Sequence, residues 1–229
     1  MEQLDKMVSV QVKEPEVVHN TDAPIIVASS LRYLVIKRCI DILLALIGIV
    51  LLLPIFCIIA LCIRIDDHGP VLHLREIVGS QGKRFWALKF RTMITNADAY
   101  LQLHPQLMKT YLQNMKLEQD PRVTRVGRFL RKTSLDELPQ LFNILIGQMS
   151  LVGPRIIHPS ELSRYGVYVA KRLSVKPGLT GLWQISARQH MSYEERIVLD
   201  MYYIDHRSIL LDLLIIVRTL KVFVIHTGA

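Results

Sequence analysis

Between Asp120 and Lys132 an arginine stands at every third position, Arg122, Arg125, Arg128 and Arg131. On a helix that spacing makes a slowly drifting basic stripe beside Val126, Phe129 and Leu130. Such a stripe binds anions, whether the phosphates of a ligand or lipid headgroups along a solvated face. The next residues, Ser134-Leu135-Asp136-Glu137-Leu138-Pro139, put two adjacent carboxylates at the start of an apolar segment. Ser134 and Glu137 have capping-box spacing, and acidic residues suit a first helical turn, which accounts for Glu137 on its own. Asp136 asks for more. A carboxylate beside arginines and a helix N-terminus, held ionised by those cations, suits a phosphate-handling nucleophile or a metal ligand. Magnesium is the fitting ion, because it takes one or two carboxylates plus substrate phosphate oxygens.

Other basic positions stand out by their neighbours: Lys89 and Arg91 in Lys89-Phe90-Arg91-Thr92-Met93, Arg155 after Gly153-Pro154, and Arg188 after Trp183-Gln184-Ile185-Ser186-Ala187. The planar fork of arginine matches phosphate oxygens, and a neighbouring glycine or proline fixes a loop that can approach a ligand closely. Taken singly, each is as well explained as a surface residue. Asp200 and Asp212 lie on apolar helices, where each could serve a metal or a uridine or pair structurally with an arginine. His104, His158, His190 and His206 have no metal-ligand spacing, and Trp183 reads as core or interface.

The elements that must position these groups follow from composition and periodicity. The chain has 229 residues, 51% hydrophobic and 21% charged, with a net charge of +8. Its mean hydropathy is +0.29 and its pI about 9.5. Disordered, collagen-like and low-complexity classes are excluded, and a basic, apolar chain fits an anionic membrane surface. Nucleic acid would welcome the same charge, so a membrane-anchored basic protein that binds anionic lipid or nucleic acid without catalysis is the rival reading. Cys39, Cys57 and Cys62 indicate neither a disulfide framework nor a zinc site. Residues 1–30 are polar, interrupted by Pro15 and Pro24, and read as a mobile tail; the first apolar run begins too late for a signal peptide.

Residues 42–63 carry no charge, enough for about 33 Å of helix. Pro54 sits just past the middle of that run, and basic residues flank both ends (Arg32, Lys37, Arg38; Arg64, Arg75). A helix-break-helix hairpin that enters and leaves by one face is therefore expected, with a single kinked span as the alternative. Residues 71–78 and 84–93 predict a β-hairpin around 79–83. Short helices are expected over 96–115 around Pro105, and an apolar helix over 135–146 opening at Pro139. Amphipathic helices are expected over 161–175 and 193–204, separated by a turn at 177–181. Residues 208–225 are apolar but contain Asp212, Arg218 and Lys221, so a helix against the interface or the fold is expected rather than a second span. The fold class is an α-rich α+β domain seated on a membrane.

Taken together, the runs 89–93, Asp120-Pro121-Arg122, 135–143, Ser150-Leu151-Val152-Gly153-Pro154-Arg155 and Lys176-Pro177-Gly178-Leu179-Thr180-Gly181 resemble the bacterial sugar transferase family, in order, from about residue 31 to the C-terminus. These are monotopic phosphoglycosyl transferases that prime glycan assembly on undecaprenyl phosphate. The resemblance implies a phosphoglycosyl transferase domain over 31–229, with a re-entrant membrane helix over 31–66 broken at Pro54. It implies a catalytic part over 67–229 at the cytoplasmic face of the bacterial inner membrane. It further implies a UDP-sugar donor, magnesium, undecaprenyl phosphate as acceptor, and the dyad Asp136-Glu137 with Asp136 as nucleophile. Lys89, Arg131, Arg155 and Arg188 match phosphate and nucleotide contacts, and Asp200 or Asp212 an auxiliary acid. No nucleic acid partner is implied, and a homodimer is compatible with the sequence. Departures from the usual pattern are Leu53 before Pro54, Ile156 after Arg155 and Ala187 before Arg188.

Overall fold

The computed structural model describes residues 30–114, 117, 119–186 and 191–226. It opens with helix α1 (Leu31–Asp66), which has no charged side chain between Asp41 and Arg64. The expected break at Pro54 is corrected: Pro54 lies inside one helix. A proline deprives its helix of a single hydrogen bond, here to the carbonyl of Val50. Both residues lie on the exposed side, so the loss falls away from the packed face. That packed face is a stripe of Asp41, Ala45, Gly48, Leu52, Phe56, Ile59 and Ile63, at steps of three and four. The other side, with Leu43, Leu46, Val50, Leu51, Ile58 and Leu61, is exposed and apolar.

Both ends of α1 dock on the rest of the chain. At its start, Tyr33 Oη and Lys37 Nζ donate to Asp212, at 3.1 and 2.9 Å. At its end, Asp66 accepts the backbone N–H of Val126 at 3.1 Å, and Asp67 accepts from Arg91 at 2.7 Å. Between them, Asp41 is buried and accepts from Ser150 Oγ and Leu151 N.

Strands β1 (Leu72–Val78) and β2 (Arg84–Phe90) form the expected antiparallel hairpin, with Val78 opposite Arg84 and His73 opposite Lys89. The short helices α2 (Ala97–Gln102) and α3 (Pro105–Asn114) follow. Then come α4 (Arg125–Lys132), a 3-10 turn (Leu135–Glu137) and α5 (Gln140–Leu145). The apolar helix expected over 135–146 is thus two elements, because Ser134 adopts a left-handed conformation (φ 54°) and Pro139 restarts the chain. Its capping box does not form, since Ser134 makes no side-chain cap.

The second half of the chain holds a parallel pair that the sequence reading took for a turn. Strand β3 (Ser150–Val152) pairs with β4 (Gly178–Thr180). The helix expected over 161–175 is instead a 3-10 segment (Pro159–Tyr168), kinked within itself by Gly166 at φ 49°, followed by α6 (Val169–Leu173). Helices α7 (Leu182–Ile185), α8 (Tyr193–His206) and α9 (Ile209–His226) complete the chain. Asp212 and Ile215 of α9 turn inward, while Leu210, Leu213, Val217 and Leu220 are exposed, so α9 lies against the fold.

Candidate active site

Strand β2 is the floor of the site. Asn143 of α5 mends its edge like a short added strand, accepting from Leu88 N at 2.9 Å and donating to the Trp86 carbonyl at 2.8 Å. Beyond the strand, Thr124 N donates to the Thr92 carbonyl at 3.1 Å, while the Thr124 hydroxyl caps α4 by accepting from Gly127 N at 2.9 Å. Gly127 is required here, because a Cβ on it would lie 2.0 Å from the Thr92 carbonyl oxygen. The helix held so close brings Arg131 Nε to 2.8 Å from Thr92 Oγ1.

The left-handed Ser134 then folds the 3-10 turn back over β2, and Leu135 and Leu138 anchor it by packing with Ile59, Ile63, Phe90 and Leu130. Asp136 and Glu137 therefore sit above Lys89. The ammonium of Lys89 donates to Glu137 Oε1 and stays 3.9 Å from Asp136 Oδ2. The neighbouring cations do not act alone on Asp136. Burial, with the like charge of Glu137, pushes its carboxyl above the usual range, although Lys89 and Arg131 pull the other way. This half-buried carboxylate, without the lysine hydrogen bond that Glu137 receives, lies beside two cations.

One residue of this neighbourhood escaped the sequence reading. His73 stands opposite Lys89 in the hairpin register, and burial together with Lys89 and Arg75 lowers its pKa. The signal was available: a loop over 79–83 sets residue 78 against 84 and therefore 73 against 89.

The structure brings together Asp136, Glu137, Lys89 and Arg131, and it gives the other residues different work. Arg91 is 7% exposed and holds Asp67 and Thr95 through both terminal guanidinium nitrogens, which ties down the end of α1. Arg155 stacks over Trp183, 5.4 Å from the ring centre, and its backbone N–H donates to Asp200. Asp200 is 1% exposed and also accepts from Tyr165 Oη at 3.0 Å, and burial pushes its carboxyl up to about 6. It positions Arg155 and has no open side toward a ligand. Asp212 is filled by Tyr33, Lys37 and Tyr203, so it locks α1 to α8 and α9. Arg188 lies outside the described residues, as does the tail expected over 1–30 apart from Ser30.

As a cation site, the dyad supplies two adjacent hard carboxylate groups, a donor set that suits magnesium once Lys89 moves aside from Glu137. Among the described residues no group of three or more metal-ligating side chains accompanies them.

Comparison with known proteins places these features in a family. The family described as bacterial sugar transferase matches residues 32–226. Exopolysaccharide production protein ExoY of Sinorhizobium fredii is 41% identical over 197 residues, covering 84% of this chain and 87% of that protein. UDP-galactose-lipid carrier transferase of Erwinia amylovora is 42% identical over 198 residues, 85% of this chain and 41% of the relative. Undecaprenyl-phosphate galactose phosphotransferase of Salmonella typhimurium is 45% identical over 167 residues, 71% of this chain and 35% of the relative. The chain thus spans most of the first protein's length and less than half of the other two.

Proposed function

The chain belongs to the bacterial sugar transferase family, and we propose that it moves a sugar 1-phosphate from a UDP-sugar to undecaprenyl phosphate, priming exopolysaccharide or related glycan assembly. The observation that carries this reading is the half-buried Asp136, poised beside Lys89 and Arg131 in a turn that α4, α5 and β2 hold rigidly. An Asp136 carboxylate oxygen attacks the β-phosphorus of the donor. The bond from that phosphorus to the bridging oxygen breaks, and UMP leaves with the electron pair. An oxygen of the lipid phosphate then attacks the same phosphorus and expels the Asp136 carboxylate, so that one two-substrate step becomes two simpler ones.

Lys89 and Arg131 offset charge on the phosphoryl oxygens as it develops. Arg155, stacked on Trp183 and held from behind by Asp200, presents its fork to the nucleotide phosphate or the base. Magnesium, held by Asp136 and Glu137, would add Lewis-acid stabilisation of those oxygens.

The membrane placement belongs to the same proposal. A helix whose two ends both dock on the catalytic part has its ends on one side of a bilayer, so α1 lies along the membrane face rather than crossing it. The exposed apolar side meets lipid, and the net charge of +8 favours the anionic cytoplasmic face.

Incubating the purified protein with a UDP-sugar and no acceptor tests the mechanism. A two-step enzyme releases close to one UMP per active site and carries a hexose-phosphate adduct on Asp136, seen by intact-protein mass spectrometry. UMP release only with undecaprenyl phosphate present, and no trapped adduct, would replace this account by direct transfer. Absence of UMP under both conditions would return the chain to a non-catalytic anion binder.

A further inference from the structure

A cavity of about 550 Å³ lies at the start of α1, lined by residues of that helix, the hairpin loop, β3, the 174–176 segment and the end of α8. None of the dyad cluster lines it. Lys37, Arg38, Lys176 and Arg207 do, with Asp41 as the one carboxylate of the lining. We propose that this cavity is a second anion site, taking the phosphate group of an anionic amphiphile whose chains lie along the exposed face of α1.

Charge accounting carries the argument. Lys37 is matched by Asp212, and Asp41, whose Oδ1 accepts only from the neutral Ser150 hydroxyl and Leu151 N–H, leaves one negative charge against Arg38 and Lys176 together. Arg38 spends both terminal nitrogens on the neutral carbonyls of Ile144 and Leu145, at 2.6 and 2.7 Å. Lys176 lines the same cavity, and its head lies close to that of Arg38: a Cβ placed on Gly147 would lie 3.3 Å from Arg38 Nη2 and 3.6 Å from Lys176 Nζ. Partial burial and the charge of Arg38 both lower the pKa of Lys176. Two cationic side chains that line one cavity repel each other, a single carboxylate offsets only part of that repulsion, and a phosphate bound there converts it into attraction.

The rim decides what the phosphate is attached to. Leu34 lines the cavity and is 47% exposed, continuous with Leu31 and Val35 on the apolar side of α1. A free phosphate gains only from the cations, whereas a lipid headgroup gains from the cations and from the rim together.

The test uses the full-length protein in nanodiscs of phosphatidylglycerol and phosphatidylcholine in equal parts, with retained lipids counted by native mass spectrometry. Wild type should keep phosphatidylglycerol in preference to phosphatidylcholine. Lys176→Glu should lower that retention by about fivefold or more, and Lys176→Arg should preserve it. Asp136→Asn should leave it unchanged, which separates this site from the catalytic proposal. Equal retention of both lipids, or unchanged retention in Lys176→Glu, would overturn the site. Displacement of the lipid by excess glycerol 3-phosphate would overturn the lipid source and make the site one for a soluble phosphate.

Discussion

Asp136 and Asp212 are each a carboxylate beside a lysine, and each is near one end of α1, yet they do opposite things. Asp212 is 4% exposed and takes three donors, the hydroxyls of Tyr33 and Tyr203 and the ammonium of Lys37. Asp136 lies on a three-residue turn whose lysine gives its hydrogen bond to the neighbouring Glu137. A buried carboxylate that takes three donors from two neighbouring helices welds those helices together. Asp136 is desolvated and lacks the lysine hydrogen bond that Glu137 takes, and burial raises its pKa. Asp200 belongs with Asp212 in having its oxygens filled, although burial raises its pKa as well.

The sharpest separation comes from removing charge at each carboxylate in turn. Asp136→Asn should cut acceptor-dependent UMP release by about 10³-fold or more while shifting the unfolding free energy by under about 1 kcal/mol. Parallel loss of both would assign Asp136 to the structural kind.

Asp200 offers a pH effect on stability in the acidic range. A carboxyl whose folded pKa is about 6, against a usual value near 3.8, binds more protons folded than unfolded between those values. Stability therefore falls as pH rises through that window, by roughly 3 kcal/mol in all. Asp200→Asn should flatten this part of the curve, as read by chemical denaturation in detergent at pH 4, 5, 6 and 7. An unchanged slope would show that another group sets it.

Asp212→Asn removes the charge that answers Lys37, and should lose about 2 kcal/mol of stability. Donor turnover per folded molecule should stay near wild type. A large fall in turnover at full stability would make Asp212 the auxiliary acid that the family resemblance allowed.

Arg131→Lys keeps the charge and removes the fork that reaches Thr92. Donor turnover should fall about tenfold with the melting temperature nearly unchanged. The smallest expected effect is a displacement in pH. Because the proposed attack needs an ionised Asp136, whose pKa is raised, the acid limb of kcat/KM should lie above the ordinary aspartate value of about 3.9. Lys89→Met removes a cation that lowers that pKa and should move the limb further up; a move downward would assign the limb to another group.

Much of this was legible in one dimension. The apolar run, the hairpin and the short helices around Pro105 follow from periodicity and turn residues, and the structure has all of them. The dyad's neighbourhood was legible as a set of motifs, since 89–93 and 135–143 are the two segments that grip each other through Asn143, Lys89 and Glu137. The parallel pairing of β3 with β4 was not, because each strand is three residues long and its partner is 28 positions away by the Ser150–Gly178 register. Runs that short carry no period, and glycines read as turns.

The sequence by itself determined which residues could react and that an apolar helix must be sheltered from water, because side-chain chemistry and hydropathy are local properties. Which carboxylate keeps its reactivity was decided by the tertiary structure. Arg91, Asp200 and Asp212 looked as promising as Lys89 and Arg131 in one dimension, and each is consumed by partners between 9 and 179 residues away along the chain. Desolvation and hydrogen-bond saturation depend on what packs around a group, and only the folded chain supplies those neighbours.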